Sequence, residues 1–421
     1  MIFQIIWNLL FFVAAANGSY AFLHSSGIYN SRSSNNYRRD TTLILQSSTQ
    51  QQQPTEPRSK PRSGIAQELL NLALQSPLWT YVMVPQARAS IVKTAESNGI
   101  QWVNAKSWLN ENLSIKDYSS VEYPEYYKQS FHAYQDGNLS YDAAVEQELA
   151  SRAVGARNFP KFGEKGEDVF RDSFDKALSQ IGARICDTPN EDGKKVIVDF
   201  GCGTGTSTRR LAKQYPQVDQ LIGIDLSPYF IDVGNTLLRL APNAIENGSG
   251  WITAVQPDER IELRQGDMAN TSLPSNSAAV VNLSLVIHEL PTAVAKHVVS
   301  EAYRILQPGG QLWISEMDFE STAYKAQREN ALLFSLLRAT EPYLDEYADG
   351  MQELRSFIVD TFDTTKIAAA TGRHYALVAE KGLVSDDDGD RVKCLEDYRF
   401  REDGSYAVED THLKPWESKD E

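Results

Sequence analysis

Short apolar runs alternate with amphipathic stretches through the second half of the chain. Val196-Ile-Val-Asp-Phe200 is a β-branched run that ends in glycines, and Thr206 to Tyr215 follows with helical spacing of Leu211 and Ala212. Gln220-Leu-Ile-Gly-Ile-Asp225 is a second buried run, and a helix from Pro228 to Leu240 starts with proline in its first turn, where a missing N–H costs nothing. Arg260 to Arg264 and Ala278 to Leu283 read as the third and fourth strands, with a helix after the fourth from Thr292 to Leu306. Pro308-Gly-Gly310 turns into a fifth strand, Gln311 to Ser315. Strands alternating with helices at this spacing predict a parallel α/β sheet. A long helix is expected near Tyr324 to Thr340, then strands over Phe362 to Ala369 and His374 to Ala379. The Thr371-Gly-Arg373 turn between them is too short for a parallel crossover, so this last pair is antiparallel. The predicted fold class is thus α/β: a seven-stranded, mostly parallel sheet.

The stretch from Gly64 to Gly182 has helical periodicity at Ile65 to Leu74 and at Asp168 to Ile181, around an aromatic piece holding Tyr123, Tyr126, Tyr127, Phe131, His132 and Tyr134. It reads as an N-terminal helical cap region over 64–182, before a sheet domain over 183–384. From residue 385 onward thirteen acids face six bases. This predicts a loosely attached acidic tail over 385–421, with a hairpin possible around Glu402-Asp-Gly404.

Charge changes the picture at the other end. The 421 residues carry 41 basic and 56 acidic side chains, net −15, but residues 1–63 hold six bases against two acids. Met1 to Ala16 is apolar and acid-free, followed by small residues, as in a signal peptide. The Ser-, Asn- and Arg-rich stretch behind it has transit-peptide composition. Ser19-Tyr-Ala-Phe22 resembles the cleavage motif of bipartite leaders that direct proteins to plastids of red-algal descent; plain secretion is the alternative. Residues 47–62 are low-complexity and proline-rich, a linker composition. No stretch reaches the ~20 apolar residues that span a bilayer. Clustered Lys and Arg of the kind that neutralises phosphates is missing from the acidic body, which argues against nucleic acid as a partner. Cys186, Cys202 and Cys394 form no disulfide framework and no zinc spacing, so no metal site is expected.

The chemistry concentrates at Asp199-Phe-Gly201-Cys-Gly203-Thr-Gly205, between a strand and a helix. Glycines there let backbone approach a ligand at a helix start. A P-loop needs Gly-Lys-Ser/Thr, and the dinucleotide fingerprint needs glycine at 206, where Thr206 stands. The GxGxG spacing with an acid two residues ahead resembles motif I of the class I S-adenosylmethionine-dependent methyltransferases. Further residues carry the resemblance in order: Asp225 ending the second strand, Gly266-Asp-Met268 after the third, Leu283-Ser284 ending the fourth, Val286 to Pro291 leading a helix, and Leu306-Gln-Pro-Gly-Gly310 before the fifth. Residues 123–141, with Thr340-Glu-Pro-Tyr343 and Asp345-Glu-Tyr347, further resemble a cyanobacterial and plastid subgroup of unassigned substrate.

The resemblance, covering about 160–380, implies that the seven-stranded sheet is Rossmann-like and that S-adenosylmethionine is the cofactor. It implies that Asp199 and the Gly201, Gly203 and Gly205 backbone hold the methionine part, Asp225 with Leu226 the ribose, Asp267 and Met268 the adenine, and that Leu283 lines the pocket. Met268 as ordinary core and Cys202 as a small packing residue are the plainer alternatives. His288, just past the fourth strand, is the candidate general base, or else a packed helix-start residue. Tyr126, Tyr127, His132 and Tyr134 form either a lid or ordinary packing. Three function classes stay open: a small-molecule methyltransferase, a protein or RNA methyltransferase, and a cofactor-binding regulator without turnover. Asn282-Leu-Ser-Leu285 stands where amine-directed relatives carry an Asn-Pro-Pro-Tyr-like motif, which weighs against the second. Acceptor and oligomeric state are not encoded in any of these features.

Overall fold

The computed structural model describes residues 84–132, 134–240, 257–329, 334, 337, 338, 340–383 and 393–411. The leader, the linker and the Ile65–Leu74 periodicity lie outside the described residues.

Nine α-helices are described: α1 Val84–Ser97, α2 Trp102–Asn112, α3 Tyr141–Asn158, α4 Gly166–Gln180, α5 Thr206–Gln214, α6 Pro228–Leu240, α7 Thr292–Ile305, α8 Thr322–Glu329 and α9 Leu344–Thr361. The strands are β1 Val196–Phe200, β2 Gln220–Asp225, β3 Ile261–Gln265, β4 Ala278–Ser284, β5 Leu306–Met317, β6 Thr364–Thr371, β7 His374–Glu380 and β8 Leu395–Tyr398. They form one sheet in the order β3-β2-β1-β4-β5-β7-β6-β8. Strands β1 to β5 pair in parallel, and β7 runs antiparallel to both β5 and β6.

Strand β1 lies between β2 and β4, with Val198 opposite Ile222 on one side and Val281 on the other. All five of its residues are buried, which is why four of them are apolar with no alternation, Asp199 being the one polar side chain. One sheet face packs Val198, Phe200, Leu283 and Leu312 under α7 and α9, through Val299, Ile305, Leu354 and Ile358. The opposite face packs Ile197, Val280 and Trp313 under α4 and α5, through Phe170, Phe174 and Leu211. Helix α4 therefore covers the sheet itself. Helices α1 to α3 share a third cluster with α6, where Trp102 and Leu149 meet Phe230 and Leu237.

Two differences from the sequence pattern stand out. The sheet has eight strands, and the eighth comes from the acidic tail: β8 pairs in parallel with β6, Thr365 opposite Leu395. Its anchor is Arg399, only 3% exposed, whose guanidinium reaches Asp318 (3.0 and 3.1 Å), Glu320 (2.8 Å) and Asp397 (2.7 Å). The Tyr406 hydroxyl adds a bond to Asp318 at 2.8 Å. A net count of tail acids hides this single arginine, which finds the buried Asp318 at the sheet end. Helix α9 was also not expected; its Leu344, Tyr347, Met351, Leu354 and Ile358 repeat at helical spacing and are all buried.

Candidate cofactor and active site

In the sheet order the chain departs from β1 in both directions, to β2 on one side and to β4 on the other, so the loops after β1 and β4 diverge and leave a crevice at the carboxyl ends of the strands. The glycine loop fills the β1 side. Gly201, Gly203 and Gly205 all take positive φ (64°, 54° and 82°), a conformation open to glycine and costly for other residues. Space closes the same positions: a Cβ on Gly203 would stand 2.0 Å from Gln147 Nε2, and one on Gly201 2.7 Å from the Val286 methyls. The loop is wedged between α3 and the segment after β4, which explains why glycine recurs at every second residue.

Asp199 is 1% exposed and accepts from Asn282 Nδ2 (2.7 Å) at one oxygen and from the Ser207 and Thr208 hydroxyls (2.7 and 2.6 Å) at the other. Burial pushes its carboxyl pKa upward against these three donors. It clamps β1, β4 and the first turn of α5 together, and so shapes the loop from below. Asp225 is 8% exposed. One oxygen accepts the Gly203 amide (2.9 Å), and the other accepts the Ser227 amide (2.8 Å) and the Tyr127 hydroxyl (3.2 Å). Burial raises its pKa, opposed by these donors. Leu226 follows, half-buried. Asp267 and Met268 are half-buried after β3; Asp267 accepts the Ala269 amide at 2.8 Å and Met268 packs against the edge of the main core. Leu283 is fully buried inside that core and offers no surface. Cys202 is buried, and its thiol pKa is pushed well up by desolvation and by Asp225 and Asp199, as suits a packing residue rather than a nucleophile.

The aromatic segment lies over the same strand ends. Tyr127 reaches Asp225, while Tyr126 lies close enough to Asp267 that burial, that carboxylate and Tyr343 raise its phenol to about 12. Two consecutive tyrosines thus lie beside the acids that end β2 and follow β3. Ser227 Oγ donates to the Asn138 carbonyl (2.6 Å), and Asn138 Nδ2 donates to Glu289 (3.2 Å). Tyr134 turns away, donating to Glu146 of α3 beneath the Arg88 guanidinium.

His288 is 8% exposed at the short turn Ile287–Glu289. Its Nδ1 lies 2.8 Å from Glu316 Oε1, at the end of β5. Burial alone would lower its pKa, but Glu316 first, then Glu289 and Glu341, raise it to about 9. The residue is thus an oriented, carboxylate-paired histidine.

Sequence reasoning passed over Gln147, whose Oε1 accepts the Thr204 amide at 2.8 Å, and Glu316 and Glu341. Glu316 had a readable signal, an acid ending an otherwise apolar strand. Glu341 had one in the Thr340-Glu-Pro-Tyr343 motif. Gln147 had none, since its partner lies 57 positions away.

The residues present suit an adenosyl ligand. Acids end β2 and follow β3, the half-buried Met268 and Tyr126 offer apolar surface beside Asp267, and Thr204 Oγ1 in the glycine loop is buried without a hydrogen-bond partner.

Residues 198–314 match the family model described as a methyltransferase domain. An uncharacterized methyltransferase of Emericella nidulans is 28% identical over 141 residues, 32% of this chain and 46% of that protein. Demethylmenaquinone methyltransferase of Lactobacillus johnsonii is 28% identical over 119 residues, 28% of this chain and 42% of that protein. The chain thus spans less than half the length of these curated relatives. Human N-acetylserotonin methyltransferase, solved with S-adenosylmethionine, is 18% identical with a TM-score of 0.34, covering 58% of this chain and 59% of that one. The matched residues run from β1 into β5 and include the glycine loop, Asp225, Asp267 and His288.

Proposed function

We propose that the protein is an S-adenosylmethionine-dependent methyltransferase acting on a small-molecule acceptor. The observation that carries the reading is the clasp between the Gly203 amide and Asp225, set at the crevice between β1 and β4 within the matched domain. Asp225 and Asp267 would hold the ribose and adenine, with the glycine loop, shaped by Asp199, against the methionine part. When bound, S-adenosylmethionine supplies a methyl made electrophilic by its sulfonium. The chain's own work is to align an acceptor with that methyl and keep water out. Tyr126 and Tyr127 cover the two acids, and His288, oriented by Glu316 and raised to about 9, would be mostly charged at neutral pH, suited to hold a proton beside the acceptor and to take one only after losing its own. The acidic body and a matched relative named for demethylmenaquinone favour a small acceptor over RNA.

The test is incubation with methyl-labelled S-adenosylmethionine and a plastid extract. Label in the small-molecule or lipid fraction supports the reading; label confined to protein or RNA, or no transfer despite cofactor binding, overturns it. The plastid setting is part of the proposal and rests on residues 1–63. A fluorescent fusion of that leader should enter a plastid of red-algal descent, and Phe22→Ala should leave it outside the stroma; secretion of the intact fusion would refute the plastid setting.

A further inference from the structure

The structure assigns a divalent transition-metal site to His132, Glu289 and Glu341. One ligand atom from each lies within 4.8 Å of the others. His132 Nε2 stands 3.1 Å from Glu341 Oε1 and 3.5 Å from Glu289 Oε1. Nitrogen and oxygen ligands about 2.1 Å from a metal on a tetrahedron lie about 3.4 Å apart, so these separations already approximate a coordination edge.

The donors come from three separate places: His132 from the aromatic segment, Glu289 from the turn after β4, and Glu341 from the segment before α9. His132 and Glu289 are held from behind. The His132 amide donates to the Thr340 carbonyl at 2.9 Å, fixing the histidine beside Glu341, with its backbone at φ 49°. Asn138 occupies the far oxygen of Glu289 and leaves the near one facing His132.

The second observation is independent of the clustering. Glu341 is 8% exposed, and its Oε2 is buried without any hydrogen-bond partner. A buried carboxylate oxygen left bare is costly. Its sister oxygen already faces His132, and a cation held by both oxygens of this carboxylate would satisfy the bare atom as well. His132, with 44% of its side chain exposed, gives the cluster an opening to solvent through which an ion and its waters can enter.

One imidazole and two carboxylates balance a divalent charge. The nitrogen donor selects against Mg²⁺ and Ca²⁺, which favour all-oxygen cages, and for first-row ions from Mn²⁺ to Zn²⁺. Three protein ligands leave positions open for water or an oxygen-bearing ligand. Glu289 directly follows His288, so the ion would sit at the wall of the crevice, outside the cofactor's carboxylates.

The test uses the full chain stripped with EDTA and titrated with Co²⁺, read by calorimetry and by the visible absorption of the bound ion, with Mn²⁺ in parallel. The expected result is one ion per chain, a raised thermal midpoint on binding, and retention of Co²⁺ in a hundredfold excess of Mg²⁺. Glu341→Gln and His132→Asn should each weaken Co²⁺ binding at least tenfold and abolish the thermal shift. Should either variant fold poorly, Thr340→Val, which keeps all three donors, and Glu289→Gln supply the comparison: full binding in the first and at least tenfold weaker binding in the second. Absence of Co²⁺ and Mn²⁺ binding, equal displacement by Mg²⁺, or unchanged affinity in the donor variants would overturn the assignment and leave His132 as an ion-pair partner of the two glutamates.

Discussion

Replacing Asp225 with alanine separates the two jobs assigned to this residue. In the ligand-free protein its carboxylate takes the Gly203 amide, the Ser227 amide and the Tyr127 hydroxyl. Each bond to a charged acceptor contributes about 1.5–3 kcal/mol, though water entering the vacated space recovers part of it. A net loss of about 3 kcal/mol of folding stability is expected, which at 2–4 °C per kcal/mol lowers the thermal midpoint by roughly 6–12 °C. The affinity loss is a separate quantity. Two ribose hydroxyls donating to a carboxylate contribute about 3 kcal/mol in total, so the dissociation constant for S-adenosylmethionine should rise on the order of 100-fold. Calorimetry with S-adenosylmethionine, run below the lowered midpoint, measures the second effect free of the first. Asp225→Asn gives an internal check: it keeps the volume but turns an N–H toward the Gly203 or Ser227 amide, so it should lose affinity without opening a cavity. A dissociation constant for Asp225→Ala within threefold of the wild type, alongside the expected drop in midpoint, would show that Asp225 only braces the glycine loop. Tight NADH binding by the wild type would refute the cofactor class altogether.

Tyr127→Phe removes only the 3.2 Å hydroxyl bond to Asp225, so S-adenosylmethionine should bind equally well or up to about tenfold tighter; a tenfold loss by calorimetry would instead make the hydroxyl a ligand contact. His288→Ala should lower turnover by roughly 100-fold with cofactor affinity unchanged, and Glu316→Gln, which leaves the ring but removes its orienting charge, should give a smaller loss in single-turnover methyl transfer. If both variants lose activity only in step with lost stability, His288 is a packing residue. Arg355, together with bonds from Gln352 and Arg399, outweighs burial and holds the Glu320 carboxyl near 2, below the unfolded value, so its stabilisation is complete above about pH 4.5 and lost as pH falls towards 2. Discounted for partial exposure, this is about 2 kcal/mol, so Glu320→Gln should lower the urea midpoint at pH 6 and narrow the gap to wild type at pH 3; an equal gap at both pH values would contradict the charge pairing.

The parallel core was readable because each of its signals is local. Val196 to Phe200 is apolar apart from Asp199 since β1 is covered on both faces, and Pro228 and the glycines mark element ends by their own backbone chemistry. The candidate cofactor acids Asp225 and Asp267 were readable for the same reason, standing at or just past a strand end. What the sequence hid is contact across long separations. Gln147 reaches Thr204, Arg399 reaches Asp318, and His132 reaches Glu289 and Glu341, with nothing in the intervening pattern to announce the pairing. The tail misled most directly, because an average charge describes solvation while one buried arginine decides where the segment docks.

Strand β8 has a meaning beyond its four residues. It lies at the margin of the sheet, hydrogen-bonded to β6, whose sequence Thr-Thr-Lys-Ile-Ala-Ala-Ala-Thr contains one charge and no proline. Without β8, the outer amides and carbonyls of β6 would form an open template for pairing with another chain. The docked tail replaces that edge with the four-residue Leu395–Tyr398, whose Glu396 and Asp397 make a charged margin that disfavours pairing with another chain. A chain ending at residue 392 would lose both the strand and its Arg399 anchor, and the first sign of its absence would be aggregates from a still-folded protein, ahead of any loss of cofactor binding.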